Sequence, residues 1–472
     1  MKKTILISSI LSSLLFSSLS ASDTEVDLLK SEIENLKLEL SLMKDRIDSN
    51  EAVNDEVLNS LADTNDNLID IDERVDDVES VALSDKIKFS FAFRSEIDSF
   101  STEYTDGVTY DTGIIGNTRL RLNMESEVTD NMKFFGRLSM DKHWGTPFVQ
   151  IPLYDYSEGR RPGTSTLYVE RAYVKMNYLK STNTPIDIII GRLPSTDGPS
   201  LPFKDNTVRK SMNSALIFDG AVDGAQITIN TDKVVGLYNS NLRFAYGKFM
   251  QNDIVLSDAY TTFSDSNFYG LFYGFDLSKD TKSHFEASLV KGDHIPNQLG
   301  EDTGTLDFAY VYLEFPNLYK TGLSLFGHLA FSRTDPSGNN VNGPGLLGAE
   351  YGDTDSKDGY AFWLGSRYKF DLPSMKNPRI GFEYNYGSQN FINMIQGSSD
   401  LVPKLAIRGS AYEIYYTQPL NNYAFVRLSG IYYEAKFAGN AMETFTKTGD
   451  LGSNGVQAKN STRITATFNI AF

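Results

Sequence analysis

The residues best suited to chemistry in this chain are seven cationic side chains that recur at alternate positions along its polar stretches. Guanidinium and ammonium groups attract anions, and a two-residue spacing brings such groups to one face of a β-strand. We expect this face to line a water-filled space as a basic wall. The predicted pore-lining residues are Arg94, Arg119, Arg121, Arg137, Arg171, Lys175 and Arg192. A second interpretation stays open, in which the charges alternate only because that face is wet.

The numbers and spacing of the His and Cys residues give little support for catalysis or metal binding. The four His residues are far apart and never at metal-ligand spacing, and the chain has no Cys. The lack of Cys rules out disulfides, thiolate metal sites and covalently attached c-type haem. Asp141 and His143 share one face of a predicted strand, but no serine motif accompanies them. We therefore expect no enzyme activity, no cofactor, no metal and no nucleic-acid partner.

The segment 461–472 shows most clearly which elements must position the charges. Its apolar residues alternate with polar ones, so the strand has one apolar and one polar face. As the last strand of a closed barrel it would pair with the first strand and leave no open sheet edge. The alternative interpretation is an ordinary amphipathic strand. The segment resembles the end of outer-membrane proteins in general. This resemblance implies that Phe468, Ile470 and Phe472 form a C-terminal signal for the barrel assembly machinery.

The first 22 residues have the pattern of a secretory signal peptide. Lys2 and Lys3 precede an apolar stretch that is too short to span a bilayer as a helix, and small residues follow it. We expect cleavage between Ser20 and Asp23, so that the signal peptide covers 1–22. A retained transmembrane anchor is the alternative.

Residues 23–83 are predicted to form an α-helical coiled coil. Apolar residues recur there with an unbroken 3,4 spacing, and the segment contains neither Gly nor Pro. It carries 19 acidic and 5 basic residues, which suits a solvated surface or, alternatively, a patch for a cationic partner. We expect Asp23 to Ala82 to associate as a homo-oligomer, with a trimer favoured, and a helical hairpin is the alternative.

From residue 84 onward the hydrophobic pattern changes to a period of two. The connections between these segments are alternately short turns and long loops rich in Gly, Asp, Ser and Asn. This alternation is typical of outer-membrane barrels. The predicted fold class for 84–472 is an all-β transmembrane antiparallel β-barrel of about 16 strands, preceded by the periplasmic coiled coil. A soluble sandwich or propeller is the alternative, but no blade-length repeat is present. The strands are predicted near 86–98, 117–128, 132–144, 167–178, 186–192, 220–230, 241–250, 267–278, 283–292, 305–315, 321–333, 359–371, 378–388, 406–418, 423–436 and 461–472.

A barrel of this size encloses a lumen that side chains alone do not fill, so water and solutes pass unless loops plug it. On the wall opposite the basic one, the candidate lumen-facing residues are both acidic and basic. This arrangement suggests an electric field across the lumen. These candidates are Glu286, Glu383, Glu413, Arg367, Lys369 and Arg427.

The loop Leu193–Ser214 follows the fifth predicted strand. In sixteen-stranded porins the loop at this ordinal position folds into the lumen and sets the constriction, and the resemblance in strand order implies the same here. An exposed loop whose charges face solvent is the alternative. The constriction-loop candidates are Asp197, Lys204, Asp205, Arg209 and Lys210.

Two neighbouring stretches carry a more specific resemblance. Val169–Met176 followed by Ile188–Arg192 resembles the paired strands of several porin families, in which an Ala-Tyr-Val strand precedes one ending in Gly-Arg. The run Gly191–Pro199 is similar to a porin-like outer-membrane family of unknown specific function whose members carry a signal peptide and an N-terminal coiled coil. The resemblance implies this architecture for the whole mature chain, but it implies no substrate.

The sequence therefore predicts an outer-membrane porin of a Gram-negative bacterium that lets small hydrophilic or anionic solutes diffuse passively. Outer-membrane lipid, other copies of the chain and small solutes are its expected partners. An alternative is an envelope-tethering or assembly protein that uses the barrel as an anchor and the coiled coil as a periplasmic spacer.

Overall fold

The structure, a computed structural model, describes residues 23–48, 86–144, 167–195, 197–205, 213–250, 265–297, 299–372, 375–395 and 402–472. The chain divides into two compact units, Met1–Leu83 and Ser84–Phe472. The predicted signal peptide, 1–22, lies outside the described residues.

The first unit contains helix α1, Asp23–Asp48. The helix is confirmed for this part of the predicted coiled coil, and the remainder, 49–83, lies outside the described residues. Leu29, Ile33 and Leu36 follow the 3,4 spacing along one side of α1 and are its less exposed residues. Association of α1 into a coiled coil stays a prediction. Within the described ranges, no helix has the length and apolarity needed to cross a membrane.

The second unit is a closed antiparallel barrel of sixteen strands, as predicted. Each predicted strand is present, with boundaries that differ by a few residues. One further short strand, Thr109–Asp111, pairs with Ser101–Glu103 of the first barrel strand. The barrel strands are β1 (Ile87–Tyr104), β2 (Ile115–Thr129), β3 (Met132–His143), β4 (Tyr168–Tyr178), β5 (Ile186–Ser195), β6 (Gly220–Asn230), β7 (Tyr238–Met250), β8 (Ser266–Asp276), β9 (His284–Asp293), β10 (Gly304–Phe315), β11 (Leu323–Pro336), β12 (Lys357–Lys369), β13 (Arg379–Gly387), β14 (Ile407–Pro419), β15 (Ala424–Asn440) and β16 (Ala458–Ala471).

The barrel closes between β1 and β16. The register runs from Ala92 opposite Ala471 up to Tyr104 opposite Ala458. Beyond the last paired strand residue, the Phe91 amide donates to the Phe472 carbonyl at 2.7 Å and the Phe472 amide donates back at 3.0 Å. Because every strand thereby has two neighbours, the sheet has no open edge.

The two faces of the barrel wall differ in polarity. On β16 the outward Ile464 is 64% exposed, whereas the inward Arg463 and Thr465 are 2% and 4% exposed. Stacked rings such as Tyr384 and Tyr412, 4.9 Å apart, add aromatic side chains to the outer face. An apolar exterior with aromatic residues around a polar interior is the pattern that lets a barrel cross a bilayer.

Connections at the two ends of the barrel differ in length. Turns such as 130–131 and 420–423 close one end, which we call the short-turn end, and loops such as 337–356 and 441–457 lie at the other.

Several long loops pack together into a buried apolar cluster, which we call the loop core. Phe218 forms a parallel bridge with Met394 of another loop, and the Leu347 amide donates to the Thr444 carbonyl at 2.7 Å. The lumen was expected to stay open unless loops plug it, and this cluster of loops occupies the side of the lumen beside β8–β12. Its loop members include Phe203, Leu216, Ile217, Leu346, Leu347, Phe391 and Ile392, and its wall members include Phe326 and Trp363.

Candidate functional site

Four arginines from three adjacent strands meet on the inner wall. Arg119 and Arg121 come from β2, Arg137 from β3 and Arg171 from β4, and each is mostly buried. Arg137 lies directly opposite Arg171 across the strand pair, and such like-charge pairs repel. Carboxylates must therefore lie among them to make the arrangement stable.

The first of these carboxylates belongs to Glu170, which a β-bulge turns inward. Arg137 pairs with Arg171 and Leu138 pairs with Val169, so Glu170 is the extra residue. A bulge of this kind re-aims a side chain, and Glu170 becomes 1% exposed inside the barrel. Arg121 binds it through two nitrogens, Nε at 2.9 Å and Nη2 at 3.1 Å.

The second carboxylate is that of Asp197, at the start of the loop after β5. Its Oδ2 accepts from Arg121 Nη1 at 2.7 Å and from Arg137 Nη1 at 3.3 Å. Arg171 Nη2 lies 3.6 Å from the same oxygen, and Arg119 Nη1 lies 4.0 Å from Oδ1. We call these four arginines with Glu170 and Asp197 the arginine cluster. It has four positive charges and two negative charges, so its net charge is positive.

Beyond Asp197 the loop crosses the lumen to the far wall. It forms a short helix, α2 (Leu201–Asp205), whose Phe203 ring packs on Phe326 at a centroid distance of 4.8 Å. The next two side chains form ion pairs with the wall, Lys204 with Glu413 of β14 and Asp205 with Arg427 of β15.

Two serines of the loop bind one buried histidine of β11. His328 Nε2 lies 3.1 Å from Ser200 Oγ, and His328 Nδ1 lies 2.9 Å from Ser214 Oγ. Tyr312 stacks on one side of the imidazole at 4.2 Å and Trp363 lies parallel to it at 5.3 Å. Both ring nitrogens and the ring plane are therefore used to hold the loop across the lumen.

A buried lysine from another long loop adds a second attachment to the far wall. Lys404 contacts Glu383 of β13 and Glu413 of β14, and all three side chains are nearly inaccessible. Burial alone would lower the pKa of Lys404, but attraction to the two carboxylates outweighs it and holds that pKa above its usual range. Lys404 therefore stays charged and paired at neutral pH.

The far-wall charges that suggested a transverse field are mostly engaged with loops. Glu383, Glu413 and Arg427 bind loop residues as described, and Arg367 donates to the Phe203 carbonyl. Glu286 pairs instead with Arg243 on the wall itself, at 2.6 Å.

The structure places most of the predicted basic residues on the inner face. Arg94 lies directly opposite Arg119 and is 9% exposed. Lys175 also faces inward, close to the short-turn end, and its Nζ lies 3.0 Å from Asp187 Oδ2.

Arg192 lies on the outer face, contrary to the prediction. Its cross-strand partner is Asp223, and Arg192 Nη1 donates to the Asp223 carboxylate at 3.1 Å. The neighbours two residues away on the same face, Ile190 and Ala225, belong to the outer surface, and Ile190 is 50% exposed. The three consecutive isoleucines 188–190 give no alternation, which is why the faces of β5 were not readable there.

The remaining predicted residues are divided between the described and undescribed parts. Asp197, Lys204 and Asp205 each contact the wall, whereas Arg209 and Lys210 lie outside the described residues. Phe468, Ile470 and Phe472 lie on the outer face of the last strand, and Phe472 stacks on Phe91 at 5.6 Å.

Asp141 and His143 do not form an acid–base pair through Nδ1. Asp141 Oδ2 accepts from the Tyr168 hydroxyl at 2.9 Å, and His143 Nδ1 has no hydrogen-bond partner in the part of the chain that the structure describes. Within the same residues, no group of three or more His, Asp or Glu side chains could hold a metal ion.

Comparison with known sequences places the chain in a family. The sequence model of the family described as "Protein of unknown function (DUF3373)" matches residues 111–461. The chain belongs to this family. The predicted membership of a barrel family of unknown specific function is thus confirmed. No curated protein matches the chain in sequence.

Solved barrel structures are similar to the chain at low sequence identity. OprB of Pseudomonas putida is 12% identical, with 83% of this chain and 96% of that chain covered and a TM-score of 0.49. OmpF of Salmonella typhi, solved with daunomycin, is 14% identical, with 82% and 99% covered and a TM-score of 0.46. OmpT, an outer membrane protein of Vibrio cholerae, is 12% identical, with 81% and 97% covered and a TM-score of 0.42.

Three kinds of site residue were not predicted from the sequence. Glu170 was missed because a bulge breaks the alternation. Lys404 was missed because its loop has to fold back into the barrel before it meets Glu383 and Glu413, which are only 21 and 9 residues away in sequence. The apolar loop residues had a readable signal, since runs such as Ala215–Phe218 and Phe391–Ile392 interrupt otherwise polar loops.

Proposed function

We propose that the barrel is a passive channel of the outer membrane for small hydrophilic solutes, with a preference for anions. The observation that supports this most directly is the arginine cluster, where the loop after β5 meets the basic wall. Its net positive charge lies at the point where that loop crosses the lumen. A solute that passes there meets guanidinium groups that attract anions and repel cations.

The position of the loop core indicates where the solute path runs. The loop core occupies the side of the lumen beside β8–β12, so the proposed path follows the polar wall of β1–β5. Partial burial strengthens the field of the arginine cluster, because the effective dielectric constant near the protein is lower than in water.

Conductance measurements test this function. The purified full-length protein is inserted into a planar bilayer, and the reversal potential is measured in a KCl gradient. We expect stepwise conductance and anion preference, and a reduced preference in the double variant Arg119→Gln/Arg121→Gln. Arg333→Gln serves as the matched control. Arg333 faces outward near the end of β11 that is away from the short-turn end, and its side chain is 52% exposed. A correctly folded barrel that does not conduct, or that prefers cations, would contradict the proposal.

We further propose that α1 and the residues after it associate as a homotrimer. Leu40 occupies a seam position of the predicted coiled coil and is 45% exposed in the single chain, so association would bury it. Deleting residues 23–82 tests this. We expect the variant to lose its oligomeric state in cross-linking while each barrel keeps its conductance.

A second candidate function uses the same helix as an envelope spacer, with the barrel as its anchor. The acidic, helical segment with exposed apolar side chains supports it, since such a surface binds another helix. The 23–82 deletion separates the two functions. Normal conductance with a weakened cell envelope favours the spacer, whereas a normal envelope with dispersed barrels favours assembly alone.

A further inference from the structure

An aromatic pair lies on the inner wall at a place where a water-facing wall is ordinarily polar. Phe135 of β3 and Tyr173 of β4 are cross-strand neighbours that face the lumen. Their rings stack with a centroid distance of 5.1 Å and an angle of 18°. Neither residue belongs to the loop core. The pair therefore presents flat apolar surface inside the barrel, apart from the cluster that holds the loops.

A cavity of about 250 Å³ lies against this pair, between the arginine cluster and the short-turn end. Arg137 follows Phe135 by two residues on β3, and Arg171 precedes Tyr173 by two residues on β4. The two arginines therefore form the side of the cavity that is farther from the short-turn end. Asn123 and Ser90 also line the cavity: Asn123 accepts from Arg137 Nε at 2.6 Å and donates to Ser90 Oγ at 3.2 Å. One side of the cavity is thus aromatic and an adjacent side is cationic.

The charges around the cavity favour an anion. Arg137 and Arg171 belong to the arginine cluster, in which four guanidinium groups share two carboxylates. Their side chains are 11% and 10% exposed, so their field is only partly screened by water. The carboxylate of Glu125 also borders the cavity. Lys133 Nζ lies 3.4 Å from it and 2.5 Å from Glu127, and Lys88 is a further lining residue, so two lysines balance these two carboxylates.

We propose that this cavity binds a planar aromatic carboxylate, with its ring against Phe135 and Tyr173 and its carboxylate toward Arg137 and Arg171. Offset stacking on the two rings stabilises a bound flat ring, and a guanidinium group binds a carboxylate through charge-assisted hydrogen bonds. An aliphatic anion would use only the second contact and an uncharged ring only the first. The inference rests on the proposed function, because it names a solute class for the same basic wall.

Isothermal titration of the full-length protein in detergent tests the ligand class with three probes. Benzoate carries the ring and the charge, cyclohexanecarboxylate carries the charge without an aromatic ring, and benzyl alcohol carries the ring without a charge. We expect benzoate to bind about three- to tenfold more tightly than cyclohexanecarboxylate, and benzyl alcohol to bind at least about tenfold more weakly than benzoate. Equal affinity for benzoate and cyclohexanecarboxylate would overturn the inference.

Two variants assign the binding to the two sides of the cavity. Phe135→Leu should weaken benzoate binding about three- to tenfold and leave cyclohexanecarboxylate unchanged, because it removes only the ring. Arg137→Gln should weaken both acids by a similar factor. Phe285→Leu is the matched control, since Phe275 and Phe285 form a ring pair of the same 5.1 Å spacing on the outer face. An unchanged benzoate affinity in Phe135→Leu would also overturn the inference.

Conductance of the same preparations separates this inference from the proposed function. Anion-preferring conductance without benzoate binding would refute the aromatic site and leave the channel standing. Benzoate binding by a barrel that does not conduct would support the site and refute the channel.

Discussion

Arg121 Nη1 donates to Asp197 Oδ2 at 2.7 Å, and this hydrogen bond ties a loop residue to a strand residue 76 positions earlier in the chain. The same guanidinium binds Glu170 at 2.9 Å through Nε. One arginine therefore holds both the carboxylate that a bulge supplies and the carboxylate that the inward loop supplies. The position of the loop and the charge of the wall are coupled through this single side chain.

Asp197→Asn should raise the anion preference of the channel. The substitution keeps the shape of the side chain but removes one of the two negative charges in the arginine cluster. A unit charge about 8 Å from an ion changes its energy by about 2 kcal/mol at an effective dielectric constant of about 20. Salt at about 0.1 M, with a Debye length of about 10 Å, reduces this to about 1 kcal/mol, so we expect a change of several-fold in the anion-to-cation permeability ratio. The reversal potential in a salt gradient measures it. Asp223→Asn, on the outer face, is the control and should leave the ratio unchanged.

Glu413→Gln should loosen two loops at once. The Glu413 side chain is fully buried and contacts both Lys204 and Lys404, so its neutralisation leaves two cations with poorer partners. Removing one member of a buried ion pair costs about 3 to 5 kcal/mol. We expect a lower unfolding temperature and faster proteolysis of the loop after β5.

The partly exposed Glu434 offers a comparison for that experiment, because it lies on the outer face of β15. Glu434→Gln should change neither the unfolding temperature nor the proteolysis rate. If both variants unfold alike, the attachment of the loops through Glu413 is refuted.

The strands were predictable from sequence because one apolar and one polar face impose a period of two on nearly every strand. The same periodicity placed Arg119, Arg121, Arg137 and Arg171 on the inner face. It failed for Arg192, where the consecutive isoleucines 188–190 lie on both faces of β5, and for Glu170, where a bulge adds a residue without a local signal.

The loop contacts were not predictable in the same way. Lys404 meets Glu383 and Glu413 only when its loop folds back onto β13 and β14, the two strands that it connects, and no spacing rule encodes such a contact. Strand order did place the loop after β5 in the right ordinal position, but the partners of Lys204 and Asp205 depend on how far the loop reaches across the lumen.

Acid should release a contact between two long loops through Glu301. Its carboxylate accepts from the Asn297 side chain, the Asn342 amide and side chain, and the Gly343 amide. Burial acts to raise the pKa of Glu301, but these hydrogen bonds outweigh it and hold the pKa below its usual range. A lowered pKa stabilises the folded state above the unfolded pKa of about 4.3, and this stabilisation is lost as the pH falls through the folded value.

Hydrogen exchange at the Asn342 and Gly343 amides measures this release. After correction for intrinsic rates, we expect protection at pH 6 and a loss of protection as the pH falls below about 4. In Glu301→Gln the protection should no longer depend on pH in this range. Equal pH dependence in both proteins would show that Glu301 is not the responsible group.

Phe472→Ala should weaken barrel closure, and with it the proposed assembly signal of the last strand. The Phe472 ring stacks on Phe91 at 5.6 Å, while the hydrogen bonds that close the barrel here use only the main chain. The substitution therefore removes the ring contact, worth about 1 kcal/mol, and keeps the closing hydrogen bonds. Refolding of the purified protein into detergent should fall only slightly, whereas the folded amount in cells should fall strongly if the insertion machinery reads this ring. The control Phe382→Ala removes an outward ring on β13 that is 47% exposed. In this variant the folded amount in cells should fall no more than refolding into detergent does. A parallel decrease in both quantities for Phe472→Ala would assign the residue to stability alone.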